Sequence, residues 1–274
     1  MFDLLKIGLC NKYYMGSTLH IIISFVAVVI IGYLLGSLNF GVIISKAIYK
    51  DDIRKHGSGG SGATNMLRTY GKIPAALTFL GDGLKAVAAV LIGALFLGGQ
   101  TTFYYDNDGM IYSAKQLFEI YGGTLESVMA EVQNYNIAAF PVYSGIYIGG
   151  LASIIGHAFP VYYGFKGGKS VAATFFMVLC TSPVTGLICL IFFIAIVWGT
   201  KYVSLGSVMA VLIYPLILSR MTGYGLHNII AIFISLFIVY LHRGNIIRLI
   251  NGKENKISFK NKEKKKKEQG GADG

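Results

Sequence analysis

Val171-Ala172-Ala173-Thr174-Phe175-Phe176-Met177-Val178-Leu179-Cys180-Thr181-Ser182-Pro183-Val184-Thr185-Gly186-Leu187-Ile188-Cys189-Leu190-Ile191-Phe192-Phe193-Ile194-Ala195-Ile196-Val197-Trp198-Gly199 is apolar almost throughout. A helix crossing a hydrocarbon core of about 30 Å needs about 20 apolar residues. This stretch is longer than that, and Pro183 removes a backbone donor inside it, where a helix breaks or kinks. It is either one tilted span or two short ones. Working outward, further apolar windows cover 19–48, 74–98, 140–163, 203–219 and 226–241. Charge between the windows decides the reading. Residues 49–73 carry Lys50, Arg54, Lys55, Arg68 and Lys72 and belong in the cytoplasm, whereas 99–139 holds only Lys115 against Asp106, Asp108, Glu119, Glu126 and Glu131 and belongs outside. Lys166 and Lys169 then face inward again. Two spans in 171–199 bring the basic C-terminal tail inside, at the cost of two short helices and of Lys6 and Lys12 on the outer side. The expected fold is therefore an all-α polytopic membrane protein of about seven helices, N-terminus outside and C-terminus cytoplasmic.

Composition agrees. The 274 residues are 54% hydrophobic and only 14% charged, against about a quarter charged in soluble domains. There is too little polar surface for a water-soluble particle. The first window is far longer than a signal-peptide core and lacks a nearby small-residue cleavage site, so it is expected to stay in the mature chain. The formal net charge of +11 is concentrated partly in Asn261-Lys262-Glu263-Lys264-Lys265-Lys266-Lys267. That run reads as part of a disordered basic tail over 255–274 that can adhere to anionic headgroups. No folded domain presents these charges, so nucleic acid is not an expected partner. Cys10, Cys180 and Cys189 show neither disulfide-framework nor metal-ligand spacing. Residues 1–254 form one membrane-integral domain, with 99–139 as an insertion on the outer face.

The topology gathers three polar segments at one membrane face. The first runs Arg54-Lys55-His56-Gly57-Ser58-Gly59-Gly60-Ser61-Gly62-Ala63-Thr64-Asn65-Met66-Leu67-Arg68. Its glycines let backbone approach a ligand, consecutive N–H groups can form an anion nest, and Arg68 offers a forked cation suited to phosphate. The second is Gly164-Phe165-Lys166-Gly167-Gly168-Lys169-Ser170. It is not a nucleotide-binding P-loop, because Tyr163 stands where that motif needs glycine and a membrane helix precedes it. Two lysines before a helix start still make a phosphate site. The third is His242-Arg243-Gly244-Asn245-Ile246-Ile247-Arg248-Leu249-Ile250-Asn251-Gly252-Lys253-Glu254. There His242, Asn245 and Arg248 share one helix face.

Together the three segments resemble the bacterial acylphosphate-dependent glycerol-3-phosphate acyltransferase family, whose motifs approximate GSGNxGATNxxR, GFKGGKGVAT and HxxNIxRLxxGxE. The resemblance covers roughly 19–98 and 140–254. It extends to Gly36-Ser37, to Gly156-His157-Ala158-Phe159-Pro160 and to Tyr202-Val203-Ser204-Leu205-Gly206-Ser207. Gly60 and Ser61, Asn39 in place of a proline, and Ser170 in place of a glycine depart from the family pattern. The resemblance implies seven membrane helices, no nucleotide or metal cofactor, and lysophosphatidic acid as product. It implies catalytic roles for Ser58, Arg68, His242 and Asn245. Substrate contacts fall to Gly57, Gly59, Thr64, Asn65, Lys166, Gly167, Gly168 and Lys169, and to Ser204 or Ser207. Glu254 has a structural role.

On this reading Lys166 and Lys169 hold glycerol 3-phosphate, while Arg68 and the first loop hold an acyl phosphate and stabilise the oxyanion. His242, oriented by Asn245, is a general base or a phosphate ligand. The expected partners are those two substrates and membrane lipid, for a monomer in the bacterial cell membrane with its site on the cytoplasmic face. The alternative is a transporter or binding protein for an organic phosphate, which would place its polar groups nearer the midplane. Asp82 and Lys85, at i,i+3 inside a span, are expected to pair, and His157 to be packed and hydrogen-bonded. His56 is expected to do nothing specific, and Trp198 and Tyr202 to form an interfacial belt.

Overall fold

The computed structural model describes residues 18–97, 101–105, 111–113, 138–142, 144–222 and 226–257. Cys10, most of the 99–139 insertion and the tail beyond 257 lie outside the described residues.

Among the described residues the helices are α1 (Thr18–Ser37), α2 (Phe40–Tyr49), α3 (Ala63–Thr69), α4 (Lys72–Leu97), α5 (Ser144–Ala158), α6 (Val171–Thr181), α7 (Pro183–Thr200), α8 (Val203–Thr222), α9 (Leu226–Leu241) and α10 (Arg243–Ile250). The decisive stretch does divide where its proline predicts. Ser182 leaves helical geometry at φ −149°, Pro183 opens α7, and the Ser182 and Thr185 hydroxyls bond at 2.7 Å. Proline is tolerated there because a first-turn N–H has no helical partner to lose.

Among the described residues five helical stretches are long and apolar enough to cross a membrane, with α1 and α2 together forming one of them. The pair α9–α10, bent by 59°, makes a sixth. Helix α6 has 11 residues, about 16 Å at the α-helical rise, and is short for a crossing. α7 presents Leu187, Ile191, Ile194 and Trp198 outward, and α9 presents Ile229, Phe233, Leu236 and Tyr240. Apolar faces this continuous are matched to lipid rather than water.

Close helix approach in lipid depends on small residues, because hydrophobicity drives no association there. α5 shows this on two sides. A methyl at Gly36 of α1 would overlap the Ser153 backbone, and one at Gly149 would overlap the Ala89 backbone of α4. α1, α4 and α5 thereby form a tight trio, on which α6 packs. Helices α7, α8 and α9 complete the bundle, with Met177, Val211, Tyr214, Ile234 and Ile238 in the shared core.

The insertion contributes described strands to an otherwise helical chain. Strands β1 (Thr101–Tyr105), β2 (Ile111–Ser113) and β3 (Ala138–Val142) form an antiparallel sheet in the order β2-β1-β3, with Phe103 opposite Phe140. The apolar window placed at 140–163 thus opens in a strand, and its helix begins at Ser144.

Candidate active site

The three polar segments converge. Ser58, Thr64 and Arg68 from the first, Lys169 and Ser170 from the second, and His242, Asn245 and Glu254 from the third line one cavity of about 900 Å³. It sits at one end of the bundle, since these residues lie at the end of α3, before α6 and beyond α9. Trp198, Ser204 and Ser207 also line it. At that end Lys201 lies 5.1 Å over the Trp198 ring and Arg243 4.3 Å over Tyr240. These aromatic–cation pairs suit the headgroup layer.

The first loop is organised by Asn65, which is buried. Its amide nitrogen lies within hydrogen-bond distance of the Ile53, His56 and Gly60 carbonyls (3.2, 3.0 and 2.8 Å), and its Oδ1 accepts the Ser58 N–H at 3.0 Å. Asn65 therefore shapes the loop, and it also lines the cavity, where a substrate contact was expected of it. Gly57, at φ +57°, leaves room for the Asn65 amide and does not line the cavity. Gly59 does line it, but its N–H already bonds His56 O at 2.9 Å. The Ser58 and Gly59 amides are thus spent inside the loop, and no anion nest forms from them. Ser61 bonds Asn39 Oδ1 at 2.7 Å, fixing the loop to the α1–α2 break.

The lysine loop is docked in the same economical way. The N–H groups of Gly167 and Gly168 bond the carbonyls of Ala158 and His157 at 3.2 and 3.1 Å, capping the end of α5. A methyl at Gly167 would overlap the His157 carbonyl. These two glycines are required by close approach and both line the cavity, though their amides are already bonded within the protein. Lys169 lines the cavity, whereas Lys166 is exposed and does not. Burial brings the Lys169 pKa down to about 8, with Arg248 and Arg68 pushing the same way against Glu254.

Ser170 occupies the left-handed region at φ +59°, and its hydroxyl bonds Ile154 O at 2.8 Å. Left-handed backbone costs a side chain about 1 kcal/mol, and one buried hydrogen bond returns a similar amount. Ser170→Gly is therefore expected to leave thermal stability nearly unchanged. Ser170→Ala, which keeps the strain and loses the bond, is expected to cost about 1–2 kcal/mol in the same unfolding measurement.

In the third segment, the Nδ1–H of His242 donates to Ile238 O at 2.8 Å, so Nε2 keeps its lone pair. Burial above all lowers the His242 pKa to about 4, with Lys169 adding to the effect, and the ring is neutral near pH 7. Asn245 does not orient it. The Asn245 amide donates to Glu254 Oε1 at 2.8 Å, joined by Ser204 Oγ at 3.1 Å, while Arg248 Nε bonds Oε2 at 2.8 Å. Burial raises the Glu254 pKa, but these three donors outweigh it and hold the carboxylate below its ordinary range. The structural role expected of Glu254 is thus visible as a hub. Ser207 donates back to Val203 O at 2.9 Å.

Sequence reasoning missed two parts. Arg54 chelates Asp52 and donates to the Tyr163 and Lys166 carbonyls at 2.9 and 3.1 Å, stapling the first loop to the second. Its position beside Asp52 was its only signal. The other part is the segment after α10. Arg68 donates to Asn255 O at 3.1 Å, the Ile257 N–H bonds Lys201 O at 2.8 Å, and Ile257 lines the cavity. The first residues of the expected disordered tail are therefore tied down as a strap. His56 pairs with Asp51 away from the cavity.

The family model for glycerol-3-phosphate acyltransferase matches residues 26–252. The chain belongs to the glycerol-3-phosphate acyltransferase family. This acyltransferase is 37% identical to the glycerol-3-phosphate acyltransferase of Clostridioides difficile (strain 630) over 87% of its own length and 98% of the relative's. It is also 37% identical to that of Halalkalibacterium halodurans over 85% and 95%. A crystal structure of PlsY, an integral membrane glycerol 3-phosphate acyltransferase, in its glycerol 3-phosphate form superposes with a TM-score of 0.64 at 31% identity. It covers 86% of this chain and 96% of PlsY. The lysophosphatidic acid form of PlsY gives 0.61 at 32% over the same shares. The acyltransferase is a multi-pass membrane protein by its apolar helices and by this kinship.

Proposed function

We propose that this acyltransferase joins glycerol 3-phosphate to an acyl chain taken from an acyl phosphate, giving lysophosphatidic acid and inorganic phosphate, the first step of phospholipid synthesis. The observation that carries the reading is the meeting of Arg68, Lys169 and neutral His242 in one cavity. Two anionic substrates repel, and cations from separate elements offset that repulsion.

Lys169 binds the glycerol 3-phosphate phosphate. Arg68, with one N–H group held by Asn255, turns its others to the acyl phosphate and to the oxyanion that forms on attack. His242 Nε2 accepts the hydrogen bond of the attacking hydroxyl. The new ester C–O bond forms, the bond from the acyl carbon to the phosphate oxygen breaks, and the hydroxyl proton passes through His242 Nε2 to the departing phosphate. Ser58, Thr64, Ser204 and Ser207 line the same space. A few methylenes of the acyl chain lie in an apolar cavity of about 130 Å³, lined by Val178, Leu190, Val211 and Ile238, which shares Phe79, Val171 and Phe193 with the larger one, and the rest of the chain runs between helices into the surrounding lipid.

In the membrane, α1 with α2, then α4, α5, α6, α7, α8 and α9 give seven passages, N-terminus outside. The cavity faces the cytoplasm of the bacterial cell, and the protein works as a monomer without nucleotide or metal. Purified protein supplied with an acyl phosphate and glycerol 3-phosphate is expected to form lysophosphatidic acid. Folded protein that forms none, or that needs a thioester donor, defeats the reading.

A further inference from the structure

Beneath the cations lies a second polar group that the mechanism above leaves unused. Lys85 Nζ donates to Asp82 Oδ1 at 2.9 Å, to Leu38 O at 2.6 Å and to His157 Nδ1 at 2.8 Å. Its three hydrogens are all placed. The 2.8 Å contact from Lys85 makes His157 Nδ1 an acceptor, because the alternative Nδ1–H to Asp82 would be 3.4 Å long and would point a hydrogen at the ammonium. The proton of the neutral ring then sits on Nε2. His157 is buried to 3% exposure yet lines the large cavity, as does Asp82. Among the described residues Nε2 has no protein partner. A methyl placed on Gly168 would land on Nε2, so the absence of a side chain at 168 keeps this donor open beside Lys169.

We propose that His157 is a further substrate-binding residue: its Nε2–H, set by Lys85, receives the hydroxyl of glycerol 3-phosphate that is not acylated. This rests on the acyl-transfer reading. A hydroxyl suits the place better than a second phosphate does. The floor offers a neutral donor beside the Asp82 carboxylate, which attracts a hydroxyl and repels a dianion. A site that pairs a substrate hydroxyl through buried polar groups also rejects the analogue lacking it.

The test compares glycerol 3-phosphate with 3-hydroxypropyl phosphate, which keeps the reacting hydroxyl and the phosphate but lacks the other hydroxyl. The parent protein is expected to prefer glycerol 3-phosphate by tenfold or more in kcat/KM. In His157→Asn the amide oxygen can still accept from Lys85, but no donor reaches the cavity. Its preference is expected to fall to about twofold or less, through KM for glycerol 3-phosphate, with KM for acyl phosphate unchanged. Gly168→Ala, whose methyl would fall on Nε2 and displace the His157 ring from the cavity floor, is expected to lose the preference in the same way and serves if the asparagine variant does not fold. A parent enzyme that uses both acceptors equally, or variants that keep the full preference, would overturn the assignment. Failure of the parent to acylate either acceptor defeats the acyl-transfer reading, and this one with it.

Discussion

Lys169→Ala is expected to lower kcat/KM for glycerol 3-phosphate by about 100-fold, almost wholly through KM. A charged hydrogen bond to phosphate contributes about 1.5–3 kcal/mol, and the upper end applies to a mostly buried group flanked by Arg68 and Arg248. The pH profile provides an independent readout. Phosphate binding needs the protonated ammonium, and the Lys169 pKa in the empty site is about 8. Affinity is therefore full below that value and is lost as pH rises through it, so KM should climb above pH 8 while KM for acyl phosphate stays level. Lys169→Arg keeps its charge across this range, and its profile should be flat. An unchanged KM in the alanine variant removes Lys169 from the phosphate.

Glu254→Ala is expected to be the most destructive change at the site. The carboxylate is buried and accepts from Asn245, Ser204 and Arg248 at once. Removing it strands the buried Asn245 and Ser204 donors, at about 1–3 kcal/mol each, while half-exposed Arg248 turns to solvent at a further loss of about 1 kcal/mol. For a chain of this size that is roughly 10 °C in Tm. The strap carrying Asn255 and Ile257 would lose its anchor, and Arg68 its carbonyl partner. Product formation should fall by about 100-fold or more. Glu254→Gln keeps an acceptor for Asn245 and Ser204 and gives up only the charge facing half-exposed Arg248, a loss of about 1 kcal/mol. Thermal unfolding and product formation on both variants separate the hub from a mere surface contact. Equal behaviour of the two would refute it.

The helical bundle was readable because lipid imposes a coarse rule, a run of apolar residues per crossing, and Pro183 marks its own break. The convergence of Arg68, Lys169 and His242 was readable from charge asymmetry between windows. Finer assignments were not. Asn65, Gly167 and Gly168 look like ligand groups in a list of residues. Whether a donor faces a ligand or its own backbone depends on the carbonyls of Ile53, His56, His157 and Ala158, which come from elsewhere in the chain. Lys166 and Lys169 are indistinguishable by type, and only the turn of the loop sends one inward. Asp82 and Lys85 were expected to pair and do so. The third member, His157, lies 72 residues further on, beyond any local pattern. The sheet of β1, β2 and β3 had no counterpart in a window analysis tuned to helices.

The strap also fixes where the polypeptide departs. Ile257 sits at the cavity wall, and Lys256 just before it is held 5.4 Å over the Tyr202 ring. Lys201, 5.1 Å over the ring of cavity-lining Trp198, joins it at the same end, and both stand within one screening length of those rings at physiological salt. Diffusing phosphate esters would meet this positive fringe first, and high ionic strength would erase its pull without disturbing any group inside.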